Sequence, residues 1–241
     1  MDVVAAENVG KDYAAGKVTV RALEGVSFRI AAGSFVSFVG PSGSGKTTLL
    51  NLIGCLDRPT RGTLSVAGTD VARLDRRRGA LFRGQNIGFI FQDFNLIPVL
   101  TVYENVEYPL VMVRGVDIKD RRDKVTKLIE EVGIGAERNK YPDQLSGGQK
   151  QRVAVARALV TSPGLVLADE PTANLDSRTA AMIIGLMKKM RDNLGTTFIF
   201  STHDMRIVDT AEVIHTLQDG KLTSTVKTNA KKKGEQNAEA G

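Results

Sequence analysis

The sequence has a single cysteine and no long apolar run. Because Cys55 is the only cysteine among 241 residues, an internal disulfide is excluded, and its apolar neighbours favour core filling over a reactive thiol. No apolar stretch approaches the ~20 residues that cross a bilayer, and no signal-peptide pattern begins the chain. We therefore expect a protein of the cytosol, or one held at the inner membrane face by a partner.

The charge balance is basic, with a formal net charge of +6 in a chain that is 42% hydrophobic and 25% charged. This composition suits one globular domain, with or without a subdomain. The charge is partly local, in Arg76–Arg78 and Lys231–Lys233. No aromatic residues are interleaved with these clusters, which favours solvated surface over contacts with nucleic acid or lipid headgroups. Residues 228–241 have almost no large apolar side chains, so we expect a disordered basic tail there.

A glycine-rich segment lies between the apolar run Phe35–Val39 and a helical pattern from Thr48 to Leu56. Glycines let successive amides face inward as an anion nest, and the following helix adds its positive end. Lys46 then reaches the terminal phosphates of a nucleotide, and Thr47 offers its hydroxyl to Mg²⁺. A simple turn before a core helix is the alternative, which both flanks disfavour. The pattern G-x-x-x-x-G-K-[ST] is matched by Gly40, Pro41, Ser42, Gly43, Ser44, Gly45, Lys46 and Thr47.

A second candidate anion site opens the helix predicted over Lys150–Val160. Ser146 and Gln149 fit the capping box S-x-x-Q. The box leaves Gly147 and Gly148 unexplained, since each glycine costs up to about 1 kcal/mol relative to alanine inside a helix. Bare amides beside a serine hydroxyl would let a phosphate approach the helix start. Both interpretations stay open.

Two adjacent carboxylates follow the buried strand predicted over Leu165–Ala168. Side chains alternate along a strand, so Asp169 and Glu170 should point in opposite directions and do different work. Asp169 suits a Mg²⁺ partner, and Glu170 suits a general base that takes a proton from water. A surface turn with two acids is the alternative, and the upstream glycine loop disfavours it.

His203 follows another predicted strand, Phe198–Phe200. Ligands of open parallel sheets gather at the carboxyl ends of strands, which favours a γ-phosphate contact for His203. His215, inside the predicted strand Val213–Leu217, is expected to be structural. Tyr13 lies in a polar stretch, where capping a sheet edge and stacking on a flat base are evenly balanced. Asp176 is expected to cap a helix that runs to about Asn193.

These residues resemble the nucleotide-binding subunits of ABC transporters over about residues 3–225. Leu145–Gln149 reads Leu-Ser-Gly-Gly-Gln, the family signature, and is far more specific than the glycine loop. The resemblance implies an α/β fold: a P-loop NTPase (RecA-like) core with an N-terminal antiparallel β-subdomain and an inserted α-helical subdomain. An ABC ATPase domain is then expected over residues 1–227, with its core at about 1–94 and 159–227. The helical subdomain is expected at about 95–158.

The resemblance also implies roles for single residues. Residues that match Tyr13 stack on adenine, those that match Gly40 to Thr48 hold the phosphates of ATP, and Asp176 completes the nucleotide site. Residues that match Ser146 to Gln149 bind the γ-phosphate of ATP held by an opposite subunit. The expected catalytic residues are Glu170, His203, Lys46 and Gln92, and the expected Mg²⁺ ligands are Thr47, Gln92 and Asp169. Asn174-Leu175-Asp176 stands where many members have Ala-Leu-Asp, a mild departure.

Three further segments look like the macrolide-exporter and lipoprotein-releasing group: Asn51–Thr60, Phe91–Pro98 and Glu104–Leu110. This likeness implies a homodimer around two ATP and a separate membrane permease with a large extracytoplasmic domain, at the cytoplasmic face of the cell membrane. Phe94 and Asn95 do not resemble the His-rich stretch of lipoprotein-releasing members, so efflux or mechanotransmission ranks above lipoprotein release. The alternative, a soluble ABC ATPase acting on nucleic acid or ribosomes, rests only on the positive charge, and we expect no nucleic-acid partner.

Overall fold

A computed structural model of the protein describes residues 1–16, 18–112 and 117–228. Its strands are β1 (Asp2–Ala15), β2 (Val18–Ala31), β3 (Phe35–Val39), β4 (Arg61–Val66), β5 (Thr69–Asp70), β6 (Ile87–Ile90), β7 (Leu165–Asp169), β8 (Thr197–Ser201), β9 (Val213–Gln218) and β10 (Lys221–Lys227). Its helices are α1 (Lys46–Ile53), α2 (Arg76–Asn86), α3 (Val102–Met112), α4 (Ile118–Glu131), α5 (Gly147–Leu159), α6 (Ser177–Leu194) and α7 (Met205–Thr210). Short 3₁₀ turns occupy Val71–Arg73, Gly135–Glu137 and Pro142–Gln144.

The strands form two sheets with different pairing. The first is antiparallel, with strand order β2-β1-β4-β5. The second has the order β10-β9-β3-β8-β7-β6, and all neighbours in it are parallel except β10 and β9. The carboxyl ends of β3, β6, β7 and β8 therefore meet at one edge of the second sheet, where ligands of parallel sheets bind. This mixed architecture confirms the predicted α/β fold class with an antiparallel β-unit at its N-terminal side.

Alternation along the central strands divides the core into two layers. In β8, Phe198 and Phe200 pack against helices of the 95–158 segment, whereas Ile199 faces the opposite layer with Leu49 and Leu52 of α1. Each of these side chains is completely buried. Because both faces of the sheet are covered at its centre, β8 is buried at every position and β7 at every position but the last.

The segment 95–158 contains helices and no strand among its described residues. Val106 of α3, Val125 of α4 and Val153 of α5 are fully buried in one cluster with β8. The apolar spacing over Asp120–Val132 predicts a helix that Gly133 ends, and Gly133 follows α4 with φ = 72°, the left-handed conformation of a helix terminus. The helical content matches the predicted insertion, whose boundaries stay a prediction.

Several local predictions need correction. The short alternating segments Val18–Ala22 and Val26–Ile30 predict two strands, but they form one strand, β2, because β1 pairs with both of them across a register shift next to Gly25. The arginine cluster lies on α2, which was not predicted and is capped by Asp75, whose carboxylate accepts from the Arg78 amide at 2.7 Å. The helix after the glycine loop starts at Lys46 rather than Thr48 and ends at Ile53 rather than Leu56.

Cys55 therefore lies beyond α1 rather than inside it, with φ = 54°. Its thiol is half-buried, and burial raises the pKa to about 11, which agrees with an unreactive thiol. Asp176 caps α6 as predicted, accepting hydrogen bonds from the amides of Arg178 and Thr179 at 3.1 and 3.0 Å. The apolar spacing along this helix predicts Met182 on its buried face, but Met182 is 47% exposed.

No helix in the described ranges is both long and apolar enough to cross a membrane. The predicted basic tail lies outside the described residues from position 229 onward. The amphipathic pattern predicts a helix over Val102–Val113, and its last residue lies outside them as well.

Candidate functional site

A pocket of about 680 Å³ opens at the edge where β3, β6, β7 and β8 end. It brings together most of the residues predicted for phosphate binding and catalysis, although their roles stay predictions. Ser44, Tyr13, Asp176 and Ser146–Gln149 are not part of the described lining. The lining includes Gly40, Pro41, Ser42, Gly43, Gly45, Lys46, Thr47, Thr48, Gln92, Asp169, Glu170 and His203.

The glycines of the loop are required by close backbone approaches. A Cβ on Gly40 would lie 2.1 Å from the carbonyl oxygen of Leu217 in β9. A Cβ on Gly45, whose φ is 102°, would lie 2.7 Å from the carbonyl oxygen of Ala22 in β2. The loop therefore lies between the two sheets, in close contact with the backbone of each. The Ser44 hydroxyl is buried with no hydrogen-bond partner among the described residues. The loop therefore contains one unsatisfied polar group.

The start of α1 fits a phosphate group. Its N-cap, Gly45, has no side-chain cap among the described residues, so the first amides of the helix remain available to an anion. The Lys46 ammonium donates to the carbonyl oxygens of Gly40 and Pro41 at 2.8 and 3.0 Å. These bonds hold the positive charge over the loop, where phosphate oxygens would compete with the two carbonyls.

Oxygen donors for a hard cation converge beside the loop. The Thr47 hydroxyl donates to Asp169 Oδ2 at 3.1 Å, which joins the start of α1 to the end of β7. Gln92 lines the same pocket from the end of β6. No group of three or more His, Cys, Asp or Glu in the described ranges is arranged for a metal. One carboxylate with hydroxyl and amide oxygens instead matches Mg²⁺, which keeps several waters and substrate oxygens as ligands.

Glu170 lines the same pocket as Asp169 and contacts different groups, but it lies beyond the end of β7, where alternation along a strand no longer applies. Its φ of 46° places it in the left-handed region, and its amide donates to the Ser201 carbonyl at 2.8 Å. Its Oε1 lies 2.8 Å from Nδ1 of His203. Its Oε2 accepts from the Thr202 hydroxyl at 3.1 Å. Sequence analysis missed Thr202, because nothing in its local pattern marks which oxygen its hydroxyl reaches.

Two side chains for which the sequence predicts no role hold the segment after β6. The Asn174 amide donates to the Gln92 carbonyl at 3.1 Å and to Asp93 Oδ1 at 3.0 Å. Arg157 of α5 donates to the carbonyl oxygens of Phe94 and Asn95, two residues with positive φ. Burial lowers the pKa of Arg157. Asn174, where the sequence departs from the family pattern, therefore connects two loops of the pocket.

The start of α5 confirms the capping box. Ser146 Oγ accepts from the Gln149 amide at 3.3 Å, and Gln149 Oε1 accepts from the Ser146 amide at 2.9 Å. A Cβ on Gly148 would lie 2.5 Å from Thr179 Cγ2 of α6, so packing within the chain accounts for this glycine. A Cβ on Gly147 would meet its nearest atom at 3.4 Å, an ordinary contact. Gly147 thus remains without an explanation inside the chain.

Tyr13 lies near the end of β1, where the strand pairs with β2 but no longer with β4, whose pairing with β1 stops at Gly10. Its hydroxyl donates to Asp57 Oδ2 at 2.8 Å, and the Lys11 ammonium lies 4.8 Å from the ring centroid. Burial and the neighbouring Asp57 carboxylate raise the pKa of Tyr13. The ring is 39% exposed, which leaves a face open for stacking.

Comparison with known proteins gives a consistent result. Residues 23–173 match the family model described as ABC transporter. The chain is 48% identical over 216 residues to the lipoprotein-releasing system ATP-binding protein LolD of Anaeromyxobacter dehalogenans, covering 90% of each chain. It is 47% identical over 215 residues to an uncharacterized ABC transporter ATP-binding protein of Thermotoga maritima, covering 89% of this chain and 91% of that one.

One longer relative and one solved structure complete the comparison. The macrolide export ATP-binding/permease protein MacB of Syntrophobacter fumaroxidans is 42% identical over 221 residues, which are 91% of this chain and 31% of that protein. The ATP-binding cassette MJ0796, solved as a dimer in a post-hydrolysis state bound to ADP and Pi, superposes with a TM-score of 0.85 at 43% identity. That alignment covers 93% of this chain and 98% of MJ0796.

Proposed function

The chain belongs to the ABC transporter family, and we propose that two copies of it close around two ATP molecules to drive a separate membrane protein. The protein is an ATPase that uses ATP with Mg²⁺ and serves transport. The observation that carries the proposal is the pocket in which Lys46, Thr47, Asp169, Glu170 and His203 meet. The alternative of an ATPase directed to nucleic acid gains no support from the relatives, which are named as transporter components.

Each side chain of the pocket has a distinct task in the proposed reaction. The loop amides, the start of α1 and Lys46 bind and orient the phosphates. Thr47, Asp169 and Gln92 would hold Mg²⁺, which neutralises charge on the β- and γ-phosphate oxygens when bound. Glu170 takes the proton of the attacking water onto a carboxylate oxygen. His203, whose side chain lines the pocket and is 78% exposed, would contact the γ-phosphate.

The site of one copy is incomplete. The start of α5, with its bare amide at Gly147, is a second place where phosphate could bind, yet it does not line the described pocket. A second copy facing the first head to tail would bring its Ser146–Gln149 to the nucleotide held by α1. The dimeric assembly of MJ0796 with ADP and Pi supports the same arrangement for this chain.

The dimer is tested with Glu170→Gln. We expect this variant to bind ATP, to lose hydrolysis by about 10²–10⁴-fold, and to elute as a dimer with ATP and Mg²⁺ in gel filtration with light scattering. Glu170→Gln combined with Lys46→Ala is the control, which should stay monomeric. Unchanged turnover in Glu170→Gln would remove Glu170 from the role of base, and a monomer at saturating ATP would refute the shared site.

The proposed partner is an integral membrane permease with an extracytoplasmic domain, bound at the cytoplasmic face of the cell membrane. The supporting feature is a groove of about 550 Å³ between α2, β6 and α3. Leu56, Tyr108 and Met112 line it and are 49%, 43% and 64% exposed, so they would gain from burial against a cytoplasmic helix of the permease. The LolD and MacB relatives support a partner of the lipoprotein-releasing or macrolide-exporting class.

The groove is tested by co-purification from membranes solubilised in detergent. Met112→Asp places a charge in the groove and should abolish recovery of the permease. Met182→Asp is the matched control, since Met182 is also an exposed methionine but lies on α6 outside the groove lining. Equal recovery with both variants would refute the groove as the docking site, and failure of the unaltered chain to recover an integral membrane protein would refute the partner.

A further inference from the structure

The carboxylate of Glu170 is held at both oxygens by residues that follow β8. His203 Nδ1 lies 2.8 Å from Oε1, and the Thr202 hydroxyl lies 3.1 Å from Oε2. The two neighbours differ in exposure, because Thr202 is completely buried whereas the His203 side chain is 78% exposed. Oε2 therefore contacts a buried side chain, and Oε1 contacts a side chain that is exposed to solvent.

The direction of the Thr202 hydrogen bond follows from its other contact. The Asp204 amide lies 3.0 Å from Thr202 Oγ1, and an amide N–H can only donate. The hydroxyl oxygen thus accepts from Asp204, and its single proton is left for Glu170 Oε2. A bond to an ionised acceptor is stronger than a neutral one, so this proton gives the Glu170 side chain a defined orientation.

Thr202 is itself anchored in the sheet. Its amide donates to the Phe38 carbonyl of β3 at 3.2 Å. The neighbouring Asp204 is held by the Thr172 hydroxyl at 2.7 Å and by Arg206, whose hydrogen bonds lower the pKa of Asp204 to about 2. The hydroxyl that meets Glu170 is therefore positioned by the backbone of β3 and by the Asp204 amide.

Glu170 requires such a support. Its φ of 46° is unfavourable for a residue with a Cβ. Such a conformation persists when its surroundings determine it. The Ser201 carbonyl fixes the Glu170 backbone, and among the described residues Thr202 is the buried side chain that fixes the carboxylate.

We propose that Thr202 is a positioning residue for ATP hydrolysis. It binds Oε2 of Glu170 and so presents Oε1, beside His203, to the attacking water. The proton of that water then moves to Oε1 while Oε2 keeps its hydrogen bond to Thr202. This inference rests on the proposed role of Glu170 as general base, and it adds that the buried threonine selects the oxygen that receives the proton.

The test compares Thr202→Val, Thr202→Ser and Thr172→Val in steady-state hydrolysis and in equilibrium ATP binding. Thr202→Val removes the donor at nearly constant volume, and kcat should fall at least tenfold while KM and the Kd for ATP stay within twofold. Thr202→Ser keeps the hydroxyl and should restore kcat to within about threefold of the unaltered protein. Thr172→Val is the matched control, since Thr172 is 2% exposed, supports the same Asp204 and does not contact Glu170.

A second measurement separates this inference from the proposed base. In a Glu170→Gln background, Thr202→Val should not reduce the residual hydrolysis further, because the two changes act on one carboxylate. In the nucleotide-free protein, the decreases in melting temperature caused by Thr202→Val and Glu170→Ala should be less than additive. If Thr202→Val fails to fold, Thr202→Ala removes the same donor and is judged by the same criteria.

Three results would overturn the proposal. They are an unchanged kcat in Thr202→Val, an equal loss of kcat in Thr172→Val, and a full additional loss from Thr202→Val in the Glu170→Gln background. Full turnover in Glu170→Gln would instead refute the base itself, and the inference would fall with it. A loss in Glu170→Gln without a loss in Thr202→Val would refute the positioning role alone.

Discussion

The two helices that begin at candidate phosphate sites, α1 and α5, satisfy their first turns in opposite ways. Helix α1 starts behind Gly45 without a side-chain cap among the described residues. Helix α5 starts behind Ser146, and its capping box satisfies the amides of Ser146 and Gln149 within the chain. A helix leaves four amides without intrahelical partners, so α1 depends on a ligand for satisfaction and α5 depends on one much less.

This difference indicates how binding is divided between the two sites. The α1 start combines free amides with the Lys46 ammonium, and it should bind ATP in a single copy of the chain. The α5 start has no lysine in its loop and keeps only the amides that its cap does not use, such as that of Gly147. It should therefore contribute only when a second copy brings it an already bound phosphate.

The largest expected effect is the loss of ATP binding in Lys46→Ala. Two charge-assisted hydrogen bonds to phosphate are together worth about 3–6 kcal/mol, so the Kd should rise at least about 100-fold. Equilibrium binding of a fluorescent ATP analogue measures this change. Lys188→Ala, on an exposed position of α6, is the control and should bind normally. Normal affinity in Lys46→Ala would contradict the assignment of the α1 start as the phosphate site.

Acid should destabilise the part of the protein around α1, β3 and β9 more than the segment 95–158. Both histidines of the chain lie outside that segment. The His215 ring is stacked 4.9 Å from Phe38 of β3, and burial lowers its pKa from 6.5 to about 4. The unfolded chain then binds more protons between those values. The free energy of unfolding should fall by up to about 3 kcal/mol as the pH drops from about 6.5 to about 4.

Urea unfolding across this pH range measures the free energy of unfolding. In His215→Leu, this free energy should depend less steeply on pH. Hydrogen exchange locates the effect, since protection should fall in β3 and β9 before it falls in α5. An equal pH slope in the variant would show that other groups cause the acid sensitivity.

Gly148→Ala should destabilise the α5 start by about 1–3 kcal/mol, because the added Cβ would lie 2.5 Å from Thr179 Cγ2. Thr179→Ser removes that methyl group and should recover most of the loss in thermal unfolding. Gly185→Ala in α6 is the control, since a Cβ there meets no described atom within 4 Å, and it should stabilise by about 0.5–1 kcal/mol. If Gly148→Ala left the stability unchanged, close approach of a ligand would again be the better explanation for this glycine.

The smallest expected effect belongs to Ser146→Ala. Loss of the cap should cost about 1 kcal/mol of stability, as measured by urea unfolding without nucleotide. ATP binding to the monomer should not change, whereas the ATP-dependent dimer should weaken. A reduced affinity of the monomer would break the contrast between the two helix starts, because α5 would then act within its own copy.

Features set by local chemistry could be predicted from the sequence. The strand Phe35–Val39 and its glycine loop needed only an apolar run and a motif, and the cap at Asp176 needed only its place before a helical pattern. Such features depend on neighbours in sequence, whose geometry the backbone fixes.

Features set by distant contacts could not be predicted. Tyr13 meets Asp57, 44 positions away, and Arg157 holds the Phe94 carbonyl from 63 positions away. The polar stretch Lys11–Ala14 is strand because β1 pairs with β2 through it, whatever its own propensity. Local patterns carry no information about which distant side chain meets which backbone group.

The order of amino acids sets which chemical groups the chain contains and where each lies along it: a glycine loop with Lys46, two carboxylates after a strand, and a signature before a helix. Folding brings some of these groups together and keeps others apart. Parallel pairing of β3, β8 and β7 brings Lys46, Glu170 and Thr202 to one edge, although they are far apart in the chain. It also leaves Ser146–Gln149 outside that pocket, because α5 belongs to the helical layer on one face of the sheet.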